Sequence, residues 1–369
     1  MINNLRLPGW FEQPGAYVLV DGQYGSTGKG LLAGVLAEYG QNRITHVTTN
    51  AGPNSGHTAY FDFWGTAKKE PALGEQGHLR VMTQQIPVAS VFLKRLEAQA
   101  LTLLNAGAVI DPDILNDERG TYGLTGDDIL IHPAAAIITQ QDRYDDQQVV
   151  RGISGTGKGI GPAIARKAMR ASALSVHDVY RPMLPAGFPA ELGWDRFWDW
   201  NKDVVFVETA QGFSLGLNTS RFTPFVTSRE CTVMQAIADA RIPAQMVRKV
   251  VMCVRTFPIR VGSVENSSSG GCYEDQVETT WEAIGQKPEL TTVTKRVRRV
   301  FTWSRLQFKD GVAANRPDVI FLNFANYLDN RMLAALIDDI VEDYVPIMGK
   351  APVILVGHGP HSVDVTQVM

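Results

Sequence analysis

Ten residues near the start of the chain have the composition of an anion cradle: Asp21-Gly22-Gln23-Tyr24-Gly25-Ser26-Thr27-Gly28-Lys29-Gly30. Glycines let backbone N–H groups close on an anion. A helix that follows adds the partial positive charge of its N-terminus, and Lys29 adds a full one. The flanks fit, with a strand-like apolar run over residues 16–20 and a helical pattern over residues 31–39. The spacing is not that of a Walker A loop: five residues separate Gly22 from Gly28, and Gly30 rather than Ser or Thr follows the lysine. A tight structural turn is the alternative. The second group suited to chemistry is His57, in Asn50-Ala51-Gly52-Pro53-Asn54-Ser55-Gly56-His57-Thr58. An imidazole can carry and give a proton near neutral pH.

Three further segments invite the same reading. Ser154-Gly155-Thr156-Gly157-Lys158-Gly159-Ile160-Gly161-Pro162-Ala163 is another glycine-rich loop with a lysine. Glu208-Thr209-Ala210-Gln211-Gly212 has Pro224-Phe225-Val226-Thr227-Ser228 behind it. Thr294-Lys295-Arg296-Val297-Arg298-Arg299 is basic. In this order, over residues 18–360, the five segments resemble the adenylosuccinate synthetase family. The resemblance implies a ligase that transfers a γ-phosphoryl group to the 6-oxygen of a purine nucleotide. The amine of L-aspartate then displaces phosphate from C6. The purine oxygen is a poor leaving group, and phosphorylation corrects that. The chemistry needs a phosphate cradle, Mg²⁺, a donor toward O6, and cations for two carboxylates.

Carried over residue by residue, the resemblance assigns catalysis to Ser26, Lys29, His57 and Gln211. Gly25, Thr27, Gly28, Lys29, Gly30, Gly56, His57, Thr58, Asn323, Asn326, Gly357, Gly359 and Pro360 would hold the donor nucleotide. Ser26, Asn54, Ser55, Thr156, Arg170, Gln211 and Thr227 would hold the acceptor, with Arg170 reaching across a homodimer interface. Thr294, Arg296 and Arg298 would grip aspartate, since arginine's fork suits carboxylates. Ser26 and the carbonyl of Gly56 would meet Mg²⁺.

Two positions depart from the family pattern. Ser26 stands where the family has Asp before Glu-Gly-Lys-Gly. A serine hydroxyl is a poor base and a weaker Mg²⁺ ligand. An inactive relative would fit that loss, but Lys29, His57 and the arginines are retained. The loss instead resembles the phage branch of the family, which makes 2-aminoadenylosuccinate from dGMP for DNA containing 2-aminoadenine. That resemblance implies dGMP as the acceptor, and the smaller Ser26 does leave room for a 2-amino group. An ordinary synthetase acting on IMP, or a noncatalytic nucleotide-binding relative, are the alternatives. Asp21, where the family usually has Gly, is either a replacement carboxylate or a structural group at a strand end. The second departure is Asn323-Phe324-Ala325-Asn326, where the family reads GTP with the aspartate of Thr-Lys-Leu-Asp. An amide offers a donor and an acceptor and suits adenine, so ATP or dATP is the expected donor.

Composition narrows the class. At 369 residues and 44% hydrophobic, the chain can bury a large core. We expect a single domain over residues 1–369. The net charge of −3 argues against a nucleic-acid partner. Three cysteines, Cys231, Cys253 and Cys272, lack CxxC spacing, which suits reduced thiols in a cytoplasmic protein (the host cytoplasm, if phage-encoded). No apolar run reaches membrane-spanning length and no signal peptide is evident.

The elements that must position these residues follow from apolar patterning. Strands are expected at residues 17–20, 45–49, 108–110, 129–131, 204–208, 319–322 and 353–356, and helices at 28–39, 88–105, 232–240 and 330–341. Their alternation predicts an α/β fold: a doubly wound, mostly parallel sheet with a P-loop-like phosphate-binding loop and surface insertions. Ligands in such sheets sit beyond the carboxyl ends of the strands, where the motifs begin. Residues 183–203, rich in Pro, Gly and Trp, read as a surface excursion or as aromatic core packing. Residues 263–271, rich in Ser and Gly, read as a mobile loop.

Overall fold

A computed structural model describes residues 5–62, 78–170, 198–264, 267–291 and 295–368. Among them runs a nine-stranded sheet. Its order is Val365–Gln367, Val353–Gly357, Val319–Asn323, Val247–Arg255, Gly15–Asp21, Val204–Glu208, His46–Thr49, Leu101–Leu104 and Ile129–Ile131. Every pairing is parallel except that of the edge strand Val365–Gln367. The expected mostly parallel α/β architecture is therefore the observed one.

The central strand, Gly15–Asp21, is buried along its whole length. Its side chains alternate between two apolar layers. Tyr17 and Leu19 join the layer containing Leu32, Leu36 and Phe92. Ala16, Val18 and Val20 join the layer containing Ile237, Phe308 and Ile340. A strand covered by helices on both faces requires this arrangement, which reads as an unbroken apolar run. The helix Lys29–Gly40 follows the glycine-rich loop and is buried over most of its surface.

Several elements differ from expectation. The helix expected over 88–105 ends at Arg95, with Glu97 in the left-handed region (φ 58°). The apolar residues after it form the parallel strand Leu101–Leu104. The strand expected at 108–110 shrinks to Val109–Ile110 and pairs with Ala136–Ile137 outside the main sheet. The helix expected over 330–341 continues to Met348, with Pro346 in its last turn. Not anticipated were Val247–Arg255, the longest strand of the sheet, and the hairpin of His57–Asp62 with His78–Thr83. Of residues 183–203, those up to 197 lie outside the described residues, and Trp198 and Trp200 pack against the core. Among the described residues no helix is long and apolar enough to cross a membrane.

Candidate active site

The glycine-rich loop that follows the central strand is organised from below by Asp21, at that strand's end. Oδ1 of Asp21 accepts from the backbone N–H groups of Gln23 (2.8 Å) and Gly25 (3.1 Å). Oδ2 accepts from the Thr27 hydroxyl (2.5 Å) and from Lys29 Nζ (3.0 Å). Asp21 is thus the structural group at the strand end and no replacement base. Lys29 Nζ also donates to the Gln211 carbonyl at 2.8 Å, which ties the loop to the segment after Glu208. Gly28 caps the helix with φ 92°, which favours glycine. Gly30 touches the next segment so closely that a Cβ there would lie 2.7 Å from the backbone N and O of Thr58.

Above the loop lies a cavity of about 520 Å³, within the usual range for small-ligand sites. Gly25, Ser26, Gly28, Lys29 and Gly30 line it from the loop. Asn54, Ser55, Gly56, His57 and Thr58 line it from the second segment. Thr156, Gln211, Thr227 and Arg298 complete it from the other three. All five sequence segments therefore meet around one space, at the carboxyl ends of the strands.

Not every expected residue faces that space. Thr27 is fully buried against Asp21. Asn323 packs beneath the loop: its Nδ2 donates to the Thr27 carbonyl (3.3 Å) and its Oδ1 accepts from Phe324 N–H (2.8 Å). Asn326 is exposed and, like Gly357, Gly359 and Pro360, does not line the cavity. Arg296 turns to the Ser154 carbonyl (3.2 Å), and Arg299 pairs with Glu278. Of this basic run it is Arg298 that lines the cavity. Thr294 lies outside the described residues. Arg170 is exposed, at the far end of the helix Ile160–Met169.

A sequence model of the family described as "Adenylosuccinate synthetase" matches residues 196–332. The N6-succino-2-amino-2'-deoxyadenylate synthase of Salmonella phage PMBT28 is 35% identical, over 95% of this chain and 96% of its own. The chain belongs to the adenylosuccinate synthetase family. The adenylosuccinate synthetase of Thermococcus sibiricus is 28% identical, over 79% of this chain and 78% of its own. Among solved structures, the succinoaminodeoxyadenylate synthetase of Cyanophage S-2L, bound to dGMP and to dATP as an energy donor, superposes with a TM-score of 0.78. It is 29% identical, and the match covers 96% of each chain. The family's members are carbon–nitrogen ligases.

Around the cavity of this ligase, three charged groups were not anticipated from sequence. Glu208, fully buried, accepts from His57 Nδ1 at 2.6 Å. Arg255, also fully buried, donates to the Ser26 carbonyl (3.1 Å) and forms a bidentate pair with Glu289 (2.6 and 3.2 Å). The Arg255 guanidinium also lies 3.8 Å from the centre of the Phe324 ring, which lines the cavity. Burial acts to raise the Glu289 carboxyl, but Arg255 overrides it and holds that carboxyl below its ordinary value. Burial lowers the Arg298 guanidinium to about 10, against the opposing pull of Glu289. Arg298 is still a cation at neutral pH. Glu208 opens a motif visible in the sequence, but a lone acid at a strand end gives no sign of its partner.

Proposed function

We propose that this ligase joins L-aspartate to C6 of dGMP through a 6-phosphoryl intermediate, using ATP or dATP. The products are 2-amino-2'-deoxyadenylosuccinate, the nucleoside diphosphate and phosphate. In the first step the purine O6 bonds to the γ-phosphorus, the nucleoside diphosphate leaves, and the N1 proton is lost. In the second the aspartate amine bonds to C6, the bond from C6 to the phosphate oxygen breaks, and phosphate and one amine proton leave. The observation that carries this reading is Ser26 lining one cavity with Lys29, His57 and Arg298, in a chain similar over nearly its whole length to phage enzymes named for the 2-amino product. The expected donor follows the same similarity, to a structure holding dATP.

In this reading the loop N–H groups and Lys29 hold donor phosphates, His57 donates to the transferring phosphoryl group or to O6, and Arg298 receives a carboxylate of aspartate. The Lys29 ammonium, shared between Asp21 and a carbonyl, is already oriented. Ser26 and Gly56 border one cavity and offer neutral oxygens. Among the described residues no cluster of three His, Cys, Asp or Glu could hold a metal. That donor set suits Mg²⁺ in the way it usually binds nucleotides, keeping waters and leaning on phosphate oxygens. When bound there it neutralises phosphate charge. Arg170 is assigned to a neighbouring subunit's acceptor phosphate. Its helix starts at cavity-lining Ile160 and carries it about 15 Å away, at about 1.5 Å per residue.

The test is turnover of dGMP, GMP, dIMP and IMP in parallel, with aspartate, Mg²⁺ and ATP or dATP. Adduct formation from dGMP or GMP, with IMP a poor substrate, is the expected result. Faster turnover of IMP than of both guanine nucleotides would make this an ordinary adenylosuccinate synthetase.

A further inference from the structure

His57 is held from behind. Its Nδ1 lies 2.6 Å from Oε1 of Glu208, whose side chain is fully buried while that of His57 is 11% exposed. A carboxylate accepts and does not donate, so the proton of this hydrogen bond sits on Nδ1. The carboxylate is itself fixed on every side. Its Oε1 also accepts from Val88 N–H (3.3 Å) and its Oε2 from Ala89 N–H (3.2 Å), the first residues of the helix Val88–Arg95. The N-terminal end of a helix favours a negative charge. The Glu208 backbone is pinned as well, since its carbonyl accepts from the Thr49 hydroxyl at 2.6 Å. The start of the helix thus holds the carboxylate, while the end of the strand His46–Thr49 holds the backbone that carries it.

We propose that Glu208 is a positioning residue for His57. It commits Nδ1–H to the buried side and leaves Nε2 for the cavity. A ring that donates from both nitrogens is the imidazolium, and Glu208 is the counter-charge beside it. The proton offered to a bound oxyanion therefore comes from Nε2, along a direction set by the sheet and helix and not by rotation of a free side chain. This role rests on the proposed part of His57 in phosphoryl transfer, and it deepens that part.

Glu208→Gln replaces one accepting oxygen with a donating amide, which frees the ring to adopt the other tautomer. Glu208→Asp keeps the charge but withdraws it by one methylene. In both variants kcat should fall by at least about 10-fold, with nucleotide KM within about twofold of wild type. The double variant Glu208→Gln, His57→Ala should be no slower than His57→Ala alone, within about twofold, because one effect acts through the other. Wild-type kcat in a folded Glu208→Gln enzyme, or losses that multiply fully in the double variant, would overturn the proposal. If neither single variant folds, nitrogen NMR of the His57 ring in the unmodified protein still decides. A proton on Nδ1 supports the dyad, and a neutral ring protonated at Nε2 alone excludes it. That measurement needs no turnover, so it stays readable even if dGMP proves not to be the acceptor.

Discussion

The two oxygens of Asp21 accept four donors, all within 3.1 Å, and all four belong to the loop that would hold phosphate. No lone pair is left for a purine, so the carboxylate lost at Ser26 is not replaced from below. Its partner Lys29 is nearly as buried. Breaking a buried pair by removing one partner typically costs about 3–5 kcal/mol. Asp21→Ala should therefore lower unfolding stability by about that amount in urea denaturation. An unchanged midpoint would mean the loop holds its shape without the pair. At this scale the sequence is legible where function depends on local spacing. Glycines, Lys29 and His57 declare themselves within a few neighbouring residues. Glu208 does not, because its meeting with His57 joins positions 151 residues apart. The same holds for Arg255, whose chemistry appears only when the strand Val247–Arg255 lies beside the phosphate loop and opposite Glu289.

The strands and helices set how close those residues come. The start of the helix Lys29–Gly40 meets the strand His57–Asp62 at Gly30, where a Cβ would lie 2.7 Å from Thr58 backbone atoms. That contact fixes Lys29 and His57 relative to one another. Gly30→Ala must push the two elements apart, and overpacking of this kind costs about 1–3 kcal/mol. A displacement near 1 Å at a reacting centre can cost about 10²-fold in rate. We expect kcat/KM to fall by about that factor, with a modest drop in Tm. Wild-type kcat/KM in this variant would show that the helix start does not hold the two groups in place. Elements were legible from sequence where a short apolar run was bounded by turn residues, as at Val204–Glu208 and Ile129–Ile131. They were not where a run followed a helix directly. Residues 88–105 carry apolar residues on both sides of Lys94, Arg95, Glu97 and Gln99, and in the fold the left-handed Glu97 lies where helix gives way to strand. Val247–Arg255 begins with Arg248 and Lys249 beyond the protected part of the sheet, which hides the buried run after them.

Across the whole molecule, the segments after the parallel strands Gly15–Asp21, His46–Thr49 and Val204–Glu208 open on one cavity, and those around Thr156 and Arg298 reach it from outside the main sheet. The first, second and fourth motifs foretold that convergence, since loops after parallel strands open on the same side. They did not foretell which side chains turn away: Arg296 is committed to the Ser154 carbonyl and Arg299 to Glu278. Arg170 is the test of whether one chain suffices. It is exposed at the end of a helix leading away from its own cavity, so as an acceptor-phosphate ligand it would have to serve a second copy. A twofold dimer would exchange two such arginines. His57→Ala disables the site in its own chain, whereas Arg170→Ala disables the site in its partner. In a hybrid dimer one site lacks both groups and the other lacks neither. Half of randomly paired dimers are hybrids with one whole site of two, so mixing the two inactive variants should restore about one quarter of wild-type activity. Unfolding is not needed for the exchange, only dilution and re-association. No recovery on mixing, or full activity in Arg170→Ala alone, would place Arg170 outside the active site and make each chain self-sufficient.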